Sequence, residues 1–417
     1  MKLWLTQRAE STPHDNDGKS RPMRTGLMAE YFSSQGHDVT WWTGDYDHYG
    51  RQQRNFGNVT KQVTPTYAIR YLAAKGYKRS LSLARLAYDK AVAKQFLDQA
   101  TQAAQPDIII ASMPSVDLAL ASVRFGFAHN IPVIVDIRDL HPDVFIDLAP
   151  KLAKPALYLG TRPMYRKVQE ICTAATALWG NTDAFVAWGC KAAGRARQSS
   201  DQTFPIAYKA SDIAIEDMRA VDAEWAHAGL LQQDTINVVF FGTFSKSFNF
   251  KPVFEAARIL DGESTPHRFY FFGGGALSDE VVAHCASCAN SHFMGWADAK
   301  HLQAAMKASS IGLAPYIPIA NYTQNMPNKP TEYMGGGLGV ALGLKHSMLT
   351  GFLTKHHAGF TYETGVELAA QLRVYVQDPA ALVSLQDNAK QAFKDNFDYQ
   401  SLSKRMLDAI VALKNQP

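Results

Sequence analysis

Val238-Val-Phe-Phe-Gly-Thr-Phe-Ser-Lys246 decides how this chain is read. A short run of β-branched and aromatic residues stops at Gly242 and a helical pattern follows, as where a buried parallel strand leads into a βα unit. The same switch recurs along the chain. In the second half it predicts strands at 237–242, 268–272, 311–315 and 340–343, and in the first half at 2–6, 39–43, 107–111, 133–137 and 177–180. Helical stretches such as 23–35 and 116–129 lie between them. Strands alternating with helices predict an α/β protein with parallel sheets, and the alternation occurs twice.

The chain has 417 residues, 47% of them hydrophobic, which is too long for one ordinary core and apolar enough for two. Between the halves, 204–209 reads as one further strand and 217–229 as a short acidic helix, so the boundary is expected near 205–235. The domains are read as 1–205, 206–385 and a helical tail 386–417. With 42 Lys+Arg against 38 Asp+Glu the net charge is +4, too small for a general nucleic-acid binder. The first residues turn polar after position 5, and no apolar run of membrane-spanning length appears, so a cytoplasmic location is expected. Cys172, Cys190, Cys285 and Cys288 are read as thiols.

Ligands in open α/β sheets sit beyond the carboxyl ends of strands. Four such places carry chemistry here. After the strand ending at Phe241, Gly242 lets backbone approach a ligand, Thr243 and Ser245 follow, and Lys246 can neutralise a diphosphate. After Phe272, Gly273, Gly274 and Gly275 suit close packing against a ring or a phosphate, or are plain turn glycines. In the loop 321–334, Gln324 and Asn325 precede a helix start with Lys329 and Glu332 one turn apart, which suits a diphosphate at the N–H groups and a ribose at the carboxylate. After Val135, the ionisable groups Asp136, Arg138, Asp139, His141 and Asp143 can orient a hydroxyl acceptor or pair with one another. Among these His141 is the best candidate to face a transferred group.

In this order the motifs resemble the family-4 retaining glycosyltransferases. The likeness runs from Arg21-Pro-Met-Arg and Trp41-Trp42-Thr43, through Asp136-Ile-Arg-Asp-Leu-His-Pro-Asp, to Pro327-Asn-Lys-Pro-Thr-Glu-Tyr-Met-Gly-Gly-Gly. It implies the GT-B fold: two Rossmann-like domains with parallel sheets facing across a cleft, and a final helix that crosses back to the N-terminal domain. It also implies a UDP-sugar or similar nucleotide-sugar donor with Lys246 and Lys329 on its diphosphate, Glu332 on its ribose and Gly273–Gly275 near its base. His141 and Asp139 would face the reaction, with Arg21, Asp136 and Arg138 on the acceptor side. Two positions depart from many members: Gln324 stands in place of a glutamate, and Thr243 in place of an arginine.

Two lysines and a helix N-terminus at the leaving diphosphate would stabilise its developing charge, so neither metal nor cofactor is expected. His284, Cys285, Cys288 and His292 form the one zinc-like spacing, against a reading as ordinary helical thiols. The stretch 67–94 carries Arg70, Lys75, Lys78, Arg79, Arg85, Lys90 and Lys94, and Arg162, Arg166 and Lys167 add a second patch. Such basic helices are either solvated faces or peripheral contacts with anionic membrane, which would fit a lipid-linked or glycan acceptor. A nucleotide-sugar 2-epimerase and a non-catalytic donor-binding subunit are the competing readings of the same architecture.

Overall fold

The computed structural model describes residues 1–15, 22–79, 82–209, 213–232, 235–263 and 265–415. The chain divides into two compact units, Met1–Pro205 with Tyr399–Pro417, and Ile206–Asp398.

The first unit is built on an eight-stranded sheet in the order Gln202–Thr203, Ala177–Gly180, Val133–Ile137, Ile108–Met113, Lys2–Thr6, Asp38–Gly44, Tyr67–Leu72, Thr60–Thr64. All neighbours are parallel except the last pair. Val133–Ile137 is buried at every position, as expected of a strand with helices on both faces. On one face, Leu3, Leu5, Trp41 and Ile110 pack with Phe32 of the helix Arg24–Ser34 and with Met406, Leu407, Ile410 and Leu413 of the final helix, Tyr399–Lys414. The last helix therefore belongs to the core of the first unit.

The second unit has a six-stranded parallel sheet, in the order Ser291–Gly295, His267–Phe272, Ile236–Phe241, Ile311–Ala314, Gly339–Leu342, Gly359–Thr361. Side chains of the central strand alternate between two cores, Val238 and Phe240 on one face, Val239 and Phe241 on the other. That two-sided burial explains why its sequence is apolar without a break from Val238 to Phe241.

Three expectations are corrected. Residues 204–209 do not form a strand: the pairing lies at Gln202–Thr203, and the carbonyls of Phe204 and Pro205 accept from Arg24 Nη1 at 2.8 and 3.0 Å instead of from a neighbouring strand. The stretch 67–94 is not one helix. Tyr67, Ile69 and Tyr71 are buried in alternation, giving the strand Tyr67–Leu72, and Ser82 caps a separate helix Leu83–Ala100 by accepting from Arg85 N at 3.2 Å. The tail 386–417 is divided: Pro379–Asn396 stays in the second unit, burying Leu385, Ala389 and Ala392, and the chain joins the first unit only at Tyr399.

Candidate nucleotide and acceptor sites

In the second unit the chain winds from Ile236–Phe241 to one side, through His267–Phe272 and Ser291–Gly295, and then resumes on the other side at Ile311–Ala314. The carboxyl end of Ile236–Phe241 thus lies at the point of reversal, where open α/β sheets take ligands. Gly242 leaves the strand with φ 121°, and a Cβ there would overlap the Lys329 ammonium. Lys329 Nζ lies 5.2 Å from the Phe240 ring centre and 5.5 Å from that of Phe248. Two residues far apart in sequence, Gly242 and Lys329, are therefore neighbours. Lys246 is exposed on the same turn, as is Thr243.

Hydrogen bonds hold this turn to the segment that follows Ile311–Ala314: Asn249 N to Pro315 O at 2.8 Å, Ile317 N to Ser247 O at 3.1 Å, and Tyr322 Oη to Ser247 Oγ at 2.9 Å. Ser245 shapes the turn by accepting from Ser247 N at 3.3 Å. Lys329 sits in the first turn of the helix Asn328–Gly335, whose N-cap Pro327 offers no capping side chain. Pro330 has no N–H, so Asn328 and Lys329 supply the leading donors of this helix start. The buried Asn328 Oδ1 has no hydrogen-bond partner among the described residues. Tyr333 pins the helix to the central strand: its hydroxyl accepts from Phe241 N at 3.3 Å, and its ring fills the space beside Gly312. Burial, and the charge on Glu332 after it, keep that phenol un-ionised far beyond its ordinary range. Glu332 is half-buried one turn past Lys329. Gln324 is exposed, and the buried Asn325 turns its Oδ1 onto Met326 N at 2.8 Å.

Gly273 and Gly275 have φ 134° and 151°. A Cβ on the first would overlap the Gly242 carbonyl, and on the second would come within 2.6 Å of Phe244 O. Hydrogen bonds from Gly242 N to Phe272 O at 2.8 Å and from Phe244 N to Gly274 O at 3.0 Å complete the contact. Gly273 and Gly275 thus let two strand-end turns lie backbone on backbone. Trp296, 73% exposed, stands with its indole against Gly274.

In the first unit the cluster after Val135 is largely an ion-pair network. Asp136 is fully buried, chelated by Arg24 Nε and Nη2 at 2.9 Å each, and it also accepts from Arg138 Nε at 2.7 Å. Burial alone would raise its carboxyl, but Arg24 and Arg138 outweigh it and hold the group down at about 2. Arg138 also pairs with Glu10, whose oxygens accept from Thr25 N and Thr25 Oγ1 at 2.9 Å at the start of the helix Arg24–Ser34. Asp136 therefore cannot touch an acceptor: it positions Arg24 and Arg138. Asp143 is spent on Tyr165 and on Trp188 Nε1, the latter at 2.7 Å. His141 stacks edge-on to Phe145 at 4.6 Å, and burial, followed by the charges of Arg85 and Arg8, pushes its imidazole down to about 3. At neutral pH it can exchange hydrogen bonds but carries no charge. Asp139 lies beside it in the same loop, its carbonyl accepting from His141 N at 3.0 Å. Arg21 lies outside the described residues.

The zinc-like spacing does not converge. His284 stacks on Phe254 at 4.2 Å on one face of the sheet, while His292 stacks on Tyr270 at 4.9 Å, a residue of the other core. Burial pushes the Cys285 thiol up to about 12. Among the described residues no three of His, Cys, Asp and Glu are grouped to hold a metal.

Residues 23–192 match the family described as "Glycosyl transferase 4-like domain". Over that stretch the chain is similar to a glycosyltransferase domain. No curated protein matches it. Among solved structures it is similar to sucrose-phosphate synthase from Thermosynechococcus elongatus, with TM-score 0.71 and 14% identity over 99% of this chain and 98% of that one. It is also similar to HepE of Anabaena in complex with UDP-glucose, with TM-score 0.65 and 12% identity over 99% and 100% of the two chains. A third is WaaG, a glycosyltransferase involved in lipopolysaccharide biosynthesis, with TM-score 0.62 and 14% identity over 98% and 99%. At these identities the likeness establishes the fold, GT-B with Rossmann-like parallel sheets, and with the matched domain it supports glycosyltransferase as the enzyme class.

Glu10 and Arg24 belong to the ion-pair network around Asp136, and motif reading did not single them out. Arg24 lies within the Arg21-Pro-Met-Arg segment and Glu10 in the loop after the first strand, so a buried-pair search among strand-end loops is the signal that would have found them.

Proposed function

We propose that the chain transfers a sugar from a nucleoside diphosphate sugar, most simply a UDP-sugar, to a hydroxyl of a lipid-linked or growing surface glycan, with retention at the anomeric carbon. The observation that carries this reading is the Lys329 ammonium at Gly242, where the second sheet reverses its winding. Breaking the sugar–phosphate bond places negative charge on the departing diphosphate. Lys329, Lys246 and the helix start at Asn328 supply positive potential in the loops that would receive it. Glu332, one helical turn on, suits the ribose hydroxyls, and Trp296 with the Gly273–Gly275 turn suits a flat base. The leaving phosphate then takes the acceptor proton on the same face as it departs. Asp139 and the neutral His141 serve the acceptor hydroxyl or the sugar by hydrogen bonding. The UDP-glucose held by HepE and the lipopolysaccharide role of WaaG support the donor class and the acceptor class respectively.

A donor panel tests it, with nucleotide release followed with and without a bacterial lipid-linked glycan extract. One UDP-sugar should be consumed only when acceptor is present. Lys329→Met should weaken nucleotide binding by about ten- to a hundredfold, the value of one charge-assisted hydrogen bond, and Lys246→Ala and Glu332→Ala should each slow turnover. Absence of release with every donor, or turnover indifferent to all three substitutions, would sink the proposal.

A further inference from the structure

Alternate residues of neighbouring strands in the first unit line a cavity of about 290 Å³ on one face of the sheet. Lys2 and Asp38 are partners in register, as are Trp4 with Thr40, Trp42 with Arg70, and Arg70 with Thr60. The opposite face carries Leu3, Leu5, Trp41, Ile69 and Tyr71, packed in the core with the final helix. The cavity thus lies over the sheet and not beyond the carboxyl ends of its strands, where Asp139 and His141 follow Ile137.

Arg70 sets this cavity apart. It is half-buried, its Cζ lies 4.7 Å from the Trp42 ring centre, and its Nε donates to Gln99 Oε1 at 3.1 Å. The stack and the hydrogen bond together fix the plane of the guanidinium. Arg8, Arg24, Arg54, Arg138 and Arg195 of the same unit each meet a carboxylate. Arg70 meets none among the described residues, and burial lowers its guanidinium from the ordinary value with no opposing charge. A partly desolvated cation without a counter-charge is costly, and an oxyanion at its edge would offset that cost. Asp38, the acidic residue of the lining, pairs in register with Lys2 and stands four residues, about 13 Å, along the strand from Trp42. The cavity is therefore cationic at the Arg70 end and carries both signs at the other, with Thr40 and Thr60 adding hydroxyls.

We infer that this cavity binds a small hydroxylated organic anion, its carboxylate or phosphate on the Arg70 fork and its hydroxyls on Thr40, Thr60 and the Lys2–Asp38 end. The paired N–H groups of a guanidinium match either oxyanion. Placed off the strand ends, this ligand is neither the donor nor the acceptor of the transfer proposed above, and its binding does not rest on that transfer. Because it takes the folded first unit, it stabilises that unit by mass action.

Thermal melting of the full chain tests the inference, with glycerol 3-phosphate or glycerate added and sodium chloride at matched ionic strength as reference. The two probes share hydroxyls and differ in the anionic group, so a response to one alone names the group the cavity takes. The melting temperature should rise beyond the salt reference with at least one of them. In Arg70→Met, which keeps an apolar stem on Trp42, the concentration giving half the rise should increase at least about tenfold. Lys2→Gln, at an exposed position, should increase it about threefold, and it keeps the test open if Arg70→Met does not fold. Lys329→Met should respond as the parent does. No rise beyond salt with either probe, or a rise unchanged in both Arg70→Met and Lys2→Gln, would overturn the inference. So would a response lost in Lys329→Met, since the anion would then sit at the turn of Gly242.

Discussion

His141 and Asp136 lie five residues apart and are held in opposite protonation habits by their surroundings. Asp136 stays ionised because two guanidinium groups outweigh its burial, while His141 stays neutral because burial and the charges of Arg85 and Arg8 act together. Both shifts are downward, so each contributes stability that is present above the group's ordinary value and lost on acidification. For His141 the window runs from the ordinary 6.5 down through about 3. For Asp136 it begins only below the ordinary 3.8. Acid should therefore loosen the protein first through its buried histidines, His48 and His284 being pushed down to about 4 as well. Replacing His141 with glutamine removes one proton from that linkage. Urea unfolding followed between about pH 6 and about pH 4 should lose stability less steeply in His141→Gln, by up to about 1.4 kcal/mol per pH unit. Equal slopes would mean that His141 is charged in the native state.

The elements that carry the site are turns at strand ends, and their glycines do two different jobs. At Gly242 an added methyl meets the far end of a lysine, which can move; at Gly273 it meets the Gly242 carbonyl, which cannot. Both positions have φ beyond the reach of ordinary side chains, a strain of about 1–3 kcal/mol. Gly242→Ala should thus displace Lys329 and weaken nucleotide binding, whereas Gly273→Ala should add backbone overlap to strain and lower the melting temperature more. Calorimetry beside nucleotide titration separates the two, and the reverse ranking would refute the packing argument. These turns were legible in the sequence because the central strand is apolar from Val238 to Phe241 and its end is abrupt. The half-exposed edge strands Ser291–Gly295 and Gly359–Thr361 lack that contrast and were not legible. Nor was the pairing of Asp136 with Arg24, since sequence distance hides a partner that only the fold brings near. For the same reason Asp136 reads as an acceptor-side group in sequence and as a support in the structure.

At the scale of the whole molecule, the final helix makes the first unit discontinuous. Met406, Leu407, Ile410 and Leu413 fill a core otherwise made of residues before 205, and Lys414 Nζ reaches Asp107 Oδ1 at 2.7 Å, beside the sheet. Burying four such side chains is worth about 1.5–3 kcal/mol each, a sum comparable with the whole stability of an ordinary domain. A chain ending at Asp398 should therefore lose the first unit far more than the second. Hydrogen exchange is the direct readout. In the shortened chain the amides of Lys2–Thr6 and Arg24–Ser34 should exchange quickly, while those of Ile236–Phe241 keep their protection. Supplying 399–417 as a separate peptide should restore part of the lost protection, because the groove it fills is specific to these apolar side chains. If instead both sheets lost protection together, the two units would fold as one cooperative body, and the helix would stabilise the molecule rather than the unit that buries it.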